Sequence, residues 1–113
     1  MKITVGCDIV LISRFNPDND RFNERFLSKN ELLKLEKLTT PFLKRQFLAS
    51  CWAVKESVFK ATQLKFDFAH FSIINDLGEF QFEVNFQNFY ISFSISEEGD
   101  NCVAFCIAQK EKI

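Results

Sequence analysis

The sequence lacks several common signatures of catalysis. It contains a single histidine, His70, so Ser–His–Asp or Cys–His catalysis would have to use that residue. His70 lies between Phe68 and Phe71 with no nucleophile beside it in the sequence, and we interpret it as a packed or surface residue. No G-x-G-x-x-G or P-loop pattern occurs, which leaves the sequence without either of these phosphate-binding loops.

Signals for zinc and for membranes are also missing. The four cysteines show no C-x-x-C spacing, and three of them lie in apolar runs where a thiol behaves as a small hydrophobic group, so we expect no zinc site. These cysteines are Cys7, Cys51, Cys102 and Cys106. There is no signal-peptide pattern and no apolar run of about 18 residues. We therefore expect a reduced, cytoplasmic setting.

Neither sign of charge dominates the sequence. Its 14 basic and 15 acidic residues give a net charge of -1, which argues against a general electrostatic affinity for nucleic acids. A chain of 113 residues fits one domain, residues 1–113. Phenylalanine is abundant, with 15 residues spread along the chain, and we expect these rings to fill the core and to contribute to an oligomer interface.

The order of periodic segments predicts an α+β domain in which a long central helix packs on a mainly antiparallel sheet. A first strand is expected over residues 2–12, and Asp20 should cap a short helix that runs to residue 27. Ser28 and Glu31 form a capping box for a helix over 28–38, and the central helix should span 41–64. Further strands are expected over 71–74, 80–84, 89–96 and 102–109, with a turn at 97–101.

The second half of the central helix carries the most chemistry. Glu56 and Lys60 are four residues apart, just outside a broad apolar arc, and a surface salt bridge in the favourable Glu-before-Lys order would explain them. Their neighbours on that side are small: Ala49, Ala53 and Ser57. These neighbours favour the other interpretation, a floor on which a further group can approach the carboxylate and the ammonium closely.

Asp8 interrupts the first strand, which otherwise has the composition of a buried strand. Alternation places Asp8 on the face opposite Ile3, and Gly6 on the same face should leave room beside it. Aspartate suits strands poorly, and burying its charge without a partner would cost several kcal/mol, so we expect a cation, an arginine or amide donors nearby. The alternatives are an aspartate that caps the next turn and a metal ligand.

A row of basic residues follows the first strand. Arg21 and Arg25 repeat at four-residue spacing, Lys29 continues the row, and Phe22 and Phe26 lie beside it. A solvated helix face is the ordinary explanation. The alternative is a docking surface for an acidic partner that also takes up the phenyl rings.

Two motifs together resemble those of the holo-acyl-carrier-protein synthases, the small single-domain branch of the 4'-phosphopantetheinyl transferases. Residues 6–14, GCDIVLISR, are similar to the family's G-x-D-I-x-x-x-x-R opening, and residues 52–61, WAVKESVFKA, are similar to its (F/W)-A-x-K-E-A-x-x-K-A motif. Residues 21–32 also resemble its R-F-x-x-R-x-L-[ST]-x-x-E-L segment. The likeness covers most of the chain and weakens after Ala61.

The resemblance implies a Mg2+-dependent enzyme of fatty acid biosynthesis. It would transfer the 4'-phosphopantetheine group from coenzyme A to a serine of apo acyl carrier protein, giving holo acyl carrier protein and adenosine 3',5'-bisphosphate. Asp8 and Glu56 would hold Mg2+ together with pyrophosphate oxygens and waters, and Lys60 would reach the same phosphates. The serine proton would pass to Glu56 or to a water on the metal, and both routes are open.

The resemblance also implies a partner surface and an assembly. Arg14, Arg21 and Arg25 would meet the acidic recognition helix of the carrier protein, and Phe22 and Phe26 would add apolar contact. The small form of the family is a homotrimer with its sites between subunits. Such interfaces would accommodate the surplus phenyl rings.

Three departures from the family pattern concern the coenzyme A contacts. Cys51 stands where the family often has arginine, residues 62–65, TQLK, replace a glycine loop, and Glu97 replaces a histidine. Lys60 and Lys65 are the residues expected to contact the coenzyme.

The alternative function is a catalytically impaired module of the same fold that binds carrier proteins. A metal-dependent nucleotide pyrophosphate hydrolase, the third candidate, would be expected to have more carboxylates around the metal.

Overall fold

The computed structural model describes residues 2–110 as a four-stranded antiparallel sheet with a long helix packed against it. The strands lie in the order β1-β4-β3-β2. The helices and strands are β1 (Ile3–Leu11), α1 (Asp20–Asn23), α2 (Lys29–Lys37), α3 (Pro41–Thr62), β2 (Glu83–Phe86), β3 (Phe89–Glu98) and β4 (Asn101–Lys110), with 3-10 turns at Ile12–Arg14 and Phe68–His70. The predicted α+β architecture is confirmed. None of the helices between residues 2 and 110 has the length and apolarity that crossing a bilayer requires.

The central helix α3 forms where the sequence predicts it. The Thr40 side chain accepts a hydrogen bond from the Leu43 amide (3.1 Å), Pro41 occupies the first turn, and Gln63 ends the helix in the left-handed conformation. Its buried face joins the core, whereas Leu43, in the first turn of the helix, is 40% exposed. The helix ends at Thr62, two residues before the predicted end.

Strand β1 has one covered face and one open face. Thr4 donates to the Ala61 carbonyl (2.6 Å), and Gly6 lies against the α3 backbone, so this face packs on the helix. On the opposite face Ile3, Val5 and Ile9 are 58–63% exposed. The expectation of a strand buried on both faces is therefore wrong within the single chain, because α3 covers only one side of the sheet.

Gly6 is the point of closest approach between β1 and α3. A Cβ atom at this position would overlap the Ser57 carbonyl oxygen and lie 2.8 Å from the Ala61 amide nitrogen. The expectation that Gly6 leaves space beside Asp8 is wrong, because the helix backbone occupies that space. The predicted floor is wrong for a related reason: Ala49, Ala53 and Ser57 are fully buried.

The helices before α3 differ in how well they were predicted. The capping box of α2 is confirmed: Ser28 accepts from the Glu31 amide and the Glu31 side chain accepts from the Ser28 amide. Helix α1 is shorter than predicted, and Asn19 rather than Asp20 caps it, by accepting from the Phe22 amide. After α1 the chain folds into turns that bury Leu27.

The region between α3 and the hairpins is less regular than predicted. Residues 71–74 do not form a strand; Ile74 makes only an isolated bridge to Phe80, and β2 begins at Glu83. The side chains of Phe71, Ile73 and Ile74 are buried in the core, so apolar composition here reflects packing rather than strand pairing. Strands β3 and β4 extend further than predicted, and the turn between them contains Gly99 at φ 58°.

Candidate active site between the first strand and the central helix

The carboxylate of Asp8 faces α3, and its side chain is 14% exposed. The Lys60 ammonium donates to Asp8 Oδ1 and to the Cys7 carbonyl oxygen, both at 3.0 Å. Among residues 2–110, the ion pair that Lys60 forms is with Asp8 and not with Glu56. The explanation of Glu56 and Lys60 as a surface salt bridge within the helix is therefore wrong.

The second oxygen of Asp8 is unusual. Oδ2 is buried and has no hydrogen-bond partner within the described part of the chain. Buried carboxylate oxygens nearly always have a partner, since an unsatisfied one loses its hydration without compensation. The arrangement therefore leaves one hard, anionic oxygen available to a cation.

Glu56 belongs to the same electrostatic unit. The pKa of its carboxyl is raised, first by partial burial and then by the negative charge of Asp8, while the positive charge of Lys60 opposes the rise. The negative charge of Asp8 thus makes the Glu56 carboxyl harder to ionise, and a cation bound beside both groups would remove that repulsion.

These donors fit Mg2+. Mg2+ binds oxygen ligands, commonly one or two carboxylates, and shares its remaining positions between waters and substrate phosphates. The described residues contain no group of three or more histidine, cysteine or acidic side chains arranged for a metal. A site built on Asp8 and Glu56 therefore suits an ion that keeps open positions for phosphate, in contrast to a closed structural site.

The basic residues after β1 are exposed, as a docking surface requires. Arg21 and Arg25 lie on and just after α1, and Arg14 lies in a 3-10 turn with its guanidinium 5.8 Å from the centre of the Phe15 ring. Phe22 is 37% exposed. Phe26 is only 1% exposed and belongs to the core, so the expectation that it contacts a partner is wrong; its ring packs edge-on to Trp52 instead.

The structure shows the surroundings of the residues that depart from the family motifs. Cys51 is fully buried, and burial raises the pKa of its thiol well above the usual value, so it does not offer a phosphate contact. Glu97 accepts hydrogen bonds from Gln46 and Ser50 at the wall of a cavity of about 190 Å³. Lys65 is exposed in the irregular segment after α3.

The sequence interpretation missed a buried ion pair. Lys55 and Glu31 are both fully buried, and the Lys55 ammonium lies 2.5 Å from Glu31 Oε1. A signal was present: Lys55 is four residues after Cys51 and three before Val58, which places it on the apolar face of α3. His70 is an exposed residue whose ring lies 3.3 Å from Asp67.

Comparison with known proteins identifies relatives of the whole chain. The family model described as the 4'-phosphopantetheinyl transferase superfamily matches residues 4–106. The holo-[acyl-carrier-protein] synthase of Mycoplasma mobile is 39% identical over 96% of this chain and 90% of its own length.

Solved structures agree with this relationship. The holo-(acyl-carrier-protein) synthase of Bacillus anthracis, determined in complex with CoA (3',5'-ADP), has a TM-score of 0.79 at 24% identity, covering 96% of each chain. The holo-[acyl-carrier-protein] synthase of Neisseria meningitidis has a TM-score of 0.73 at 27% identity, covering 95% of this chain and 98% of that one. The Bacillus anthracis structure shows that this chain has the same fold.

Proposed function

This chain belongs to the 4'-phosphopantetheinyl transferase superfamily, as a phosphopantetheinyl transferase of the holo-[acyl-carrier-protein] synthase type, and on that premise we propose its substrates, metal and site residues. The donor is coenzyme A and the acceptor is a serine of apo acyl carrier protein. The products are holo acyl carrier protein and adenosine 3',5'-bisphosphate. The reaction depends on Mg2+ and, in keeping with the four free thiols, belongs to the cytoplasm and to fatty acid biosynthesis.

Asp8 and Glu56 would hold the metal. When bound, Mg2+ supplies charge neutralisation for the pyrophosphate and polarises the phosphoryl group. The Asp8 carboxylate orients the Lys60 ammonium through their 3.0 Å contact, so that this cation can bind a phosphate oxygen. Lys65, exposed beyond the end of α3, contributes a second positive charge to the coenzyme.

Glu56 is also a candidate acceptor for the serine proton. In the metal-free protein its pKa is raised, which makes it a better proton acceptor than an ordinary carboxylate; a water held by the metal is the other candidate. The single observation that carries the proposed site is the buried, unpartnered Oδ2 of Asp8, a residue whose other carboxylate oxygen contacts Lys60 and whose charge acts on Glu56.

The decisive experiment weighs the acceptor. Purified protein is incubated with coenzyme A, Mg2+ and apo carrier protein, and the carrier is analysed by mass spectrometry. A mass increase of one phosphopantetheine group supports the proposal. Binding without a mass increase would support the impaired binding module, and cleavage of coenzyme A without carrier modification would support a pyrophosphate hydrolase.

Reversing one charge of the docking surface is expected to weaken carrier binding selectively. In Arg25→Glu the exposed cation becomes an anion that repels an acidic carrier helix, so the KM for the carrier should rise by about tenfold. The KM for coenzyme A should remain within about twofold. Lys37→Glu, at the exposed end of α2, makes the same change in net charge and serves as the matched control. Equal loss of both affinities in Arg25→Glu would reject this surface.

We propose a homotrimer with active sites between subunits, and the open face of the sheet supports it. Strands β1 and β4 together leave six large apolar side chains 41–63% exposed on the single chain: Ile3, Val5, Ile9, Leu11, Phe105 and Ile107. A contiguous apolar surface of this kind marks a protein interface.

A charge in the middle of this face should dissociate the assembly. Ile9→Lys is expected to convert the trimer to monomers in analytical ultracentrifugation, because burying an unpaired ammonium at an interface is strongly unfavourable. Leu77→Lys, at a residue 81% exposed elsewhere, is the control that should remain trimeric. A wild-type protein that sediments as a monomer would remove the assembly and leave the transferase proposal standing.

A further inference from the structure

The buried ion pair of Lys55 and Glu31 hydrogen-bonds to several separate segments of the chain. The Lys55 ammonium donates to the Phe26 carbonyl (2.7 Å), the Phe68 carbonyl (2.9 Å) and Glu31 Oε1 (2.5 Å). A lysine has three N–H donors, so all of them are used. Both oxygens of Glu31 are used as well: Oε1 also accepts from the Ser28 amide, and Oε2 accepts from the Ile73 amide at 2.7 Å.

These contacts join separate segments to one point on α3. Phe26 follows the docking residue Arg25 directly, and Lys55 precedes the proposed metal ligand Glu56 directly. The ammonium therefore hydrogen-bonds the segment that carries the docking residues, and it belongs to the residue that directly precedes a proposed site carboxylate in the chain. The Phe68 and Ile73 contacts hold the segment after α3 in the same unit.

Stability alone is a weak reason for such a pair. Removing two charges from water is costly, and apolar residues of similar volume often stabilise a core equally well or better. What a buried, multiply hydrogen-bonded pair provides in addition is a fixed geometry, since each hydrogen bond accepts only a narrow range of positions.

We propose that Lys55 and Glu31 are positioning residues that set the docking segment, residues 20–28, relative to the carboxylates of Asp8 and Glu56. The inference rests on the proposed function, because it concerns where a bound carrier presents its serine. Neither residue touches a substrate: both are fully buried. They act by keeping the docked serine within reacting distance of the phosphoryl group, and small misplacements of reacting groups lower rates strongly.

The test replaces both charges together. Lys55→Met with Glu31→Leu removes the pair without leaving one buried charge alone. The kcat of transfer should fall by about 10–100-fold, while the dissociation constant for coenzyme A, measured by calorimetry, should change by less than about twofold. The emission of Trp52, the only tryptophan, should also shift, since its ring packs against Phe22 and Phe26 of the displaced segment.

Controls separate positioning from a loss of stability. Ile91→Ala removes a buried side chain of β3 and should lower the thermal midpoint while leaving kcat at its wild-type value below that midpoint. Glu31→Gln, which keeps the volume but replaces an acceptor oxygen by a donor, is measured alongside and should show the same selective loss of kcat if the double variant does not fold.

The outcomes are distinct. Selective loss of kcat with unchanged coenzyme A binding supports the inference. A folded double variant that transfers at the wild-type rate, or a Glu31→Gln variant whose kcat falls only in proportion to its unfolded fraction, overturns it and leaves the transferase proposal intact. A wild-type protein that modifies no carrier overturns the proposed function and this inference with it.

Discussion

Asp8→Asn is expected to abolish transfer while the protein stays folded. The substitution keeps the size of the side chain but removes the charge of the buried, unpartnered Oδ2, so the affinity for Mg2+ should fall. It also removes the anion that orients Lys60. We expect kcat to fall by at least about 10²–10³-fold, the range seen when one preorganised electrostatic group is lost. Activity assays over a Mg2+ titration measure both effects.

Glu56→Gln should show the same loss together with a gain in stability. Because the pKa of Glu56 is raised in the folded chain, the folded state holds the proton more tightly than the unfolded state does. The stability linked to this group is therefore complete below the ordinary pKa of 4.5 and decreases as pH rises through the raised value. At neutral pH the ionised carboxylate destabilises the metal-free fold, and glutamine removes that effect.

Thermal unfolding of the metal-free proteins tests whether the ionised Glu56 carboxylate lowers the stability of the fold. The midpoint of Glu56→Gln should exceed that of the wild type at pH 7, and the difference should shrink towards pH 4. Added Mg2+ should raise the midpoint of the wild type only. A Glu56→Gln variant that binds Mg2+ as the wild type does, or that retains transfer within tenfold, would reject the assignment of this carboxylate.

Of the three glycines, Gly6 is the one whose replacement by alanine is expected to destabilise the protein most. The added Cβ would overlap the Ser57 carbonyl and lie 2.8 Å from the Ala61 amide nitrogen, both backbone atoms of α3. A flexible side chain could move aside, but here the helix itself has to move away from β1. We expect a loss of about 3 kcal/mol in the free energy of unfolding, at the upper end of the usual cost of overpacking, measured by urea denaturation against typical totals of about 5–15 kcal/mol.

Gly99→Ala is the matched control for this prediction. No atom lies within 4 Å of a Cβ at Gly99, so the cost comes only from its positive φ of 58°. That cost is about 1–2 kcal/mol. If Gly6→Ala were no worse than Gly99→Ala, the close approach of β1 and α3 would be disproved. Because the same approach brings Asp8 to Lys60, Gly6→Ala should also lower activity before it unfolds the protein.

The local features of this chain could be predicted because they depend on neighbours in the sequence. The capping box of Ser28 and Glu31 spans four consecutive residues, and α3 begins at Pro41 and carries an apolar face whose period is visible in the letters. The family motifs are local as well, so membership could be inferred before any coordinates. The strand predicted at residues 71–74 is absent, and α1 ends earlier than predicted, where burial against other segments decided the conformation.

Only the tertiary structure decided which charges meet. Lys60 is four residues from Glu56 but pairs with Asp8, 52 residues away, and Lys55 pairs with Glu31 rather than with an exposed neighbour. The close packing at Gly6 and the burial of Phe26 are likewise set by elements distant in sequence. The sequence by itself determined the residue types, the family and the helix that carries Glu56. Which groups are partnered, buried or left open depends on contacts between distant segments, and periodicity along one segment carries no information about those contacts.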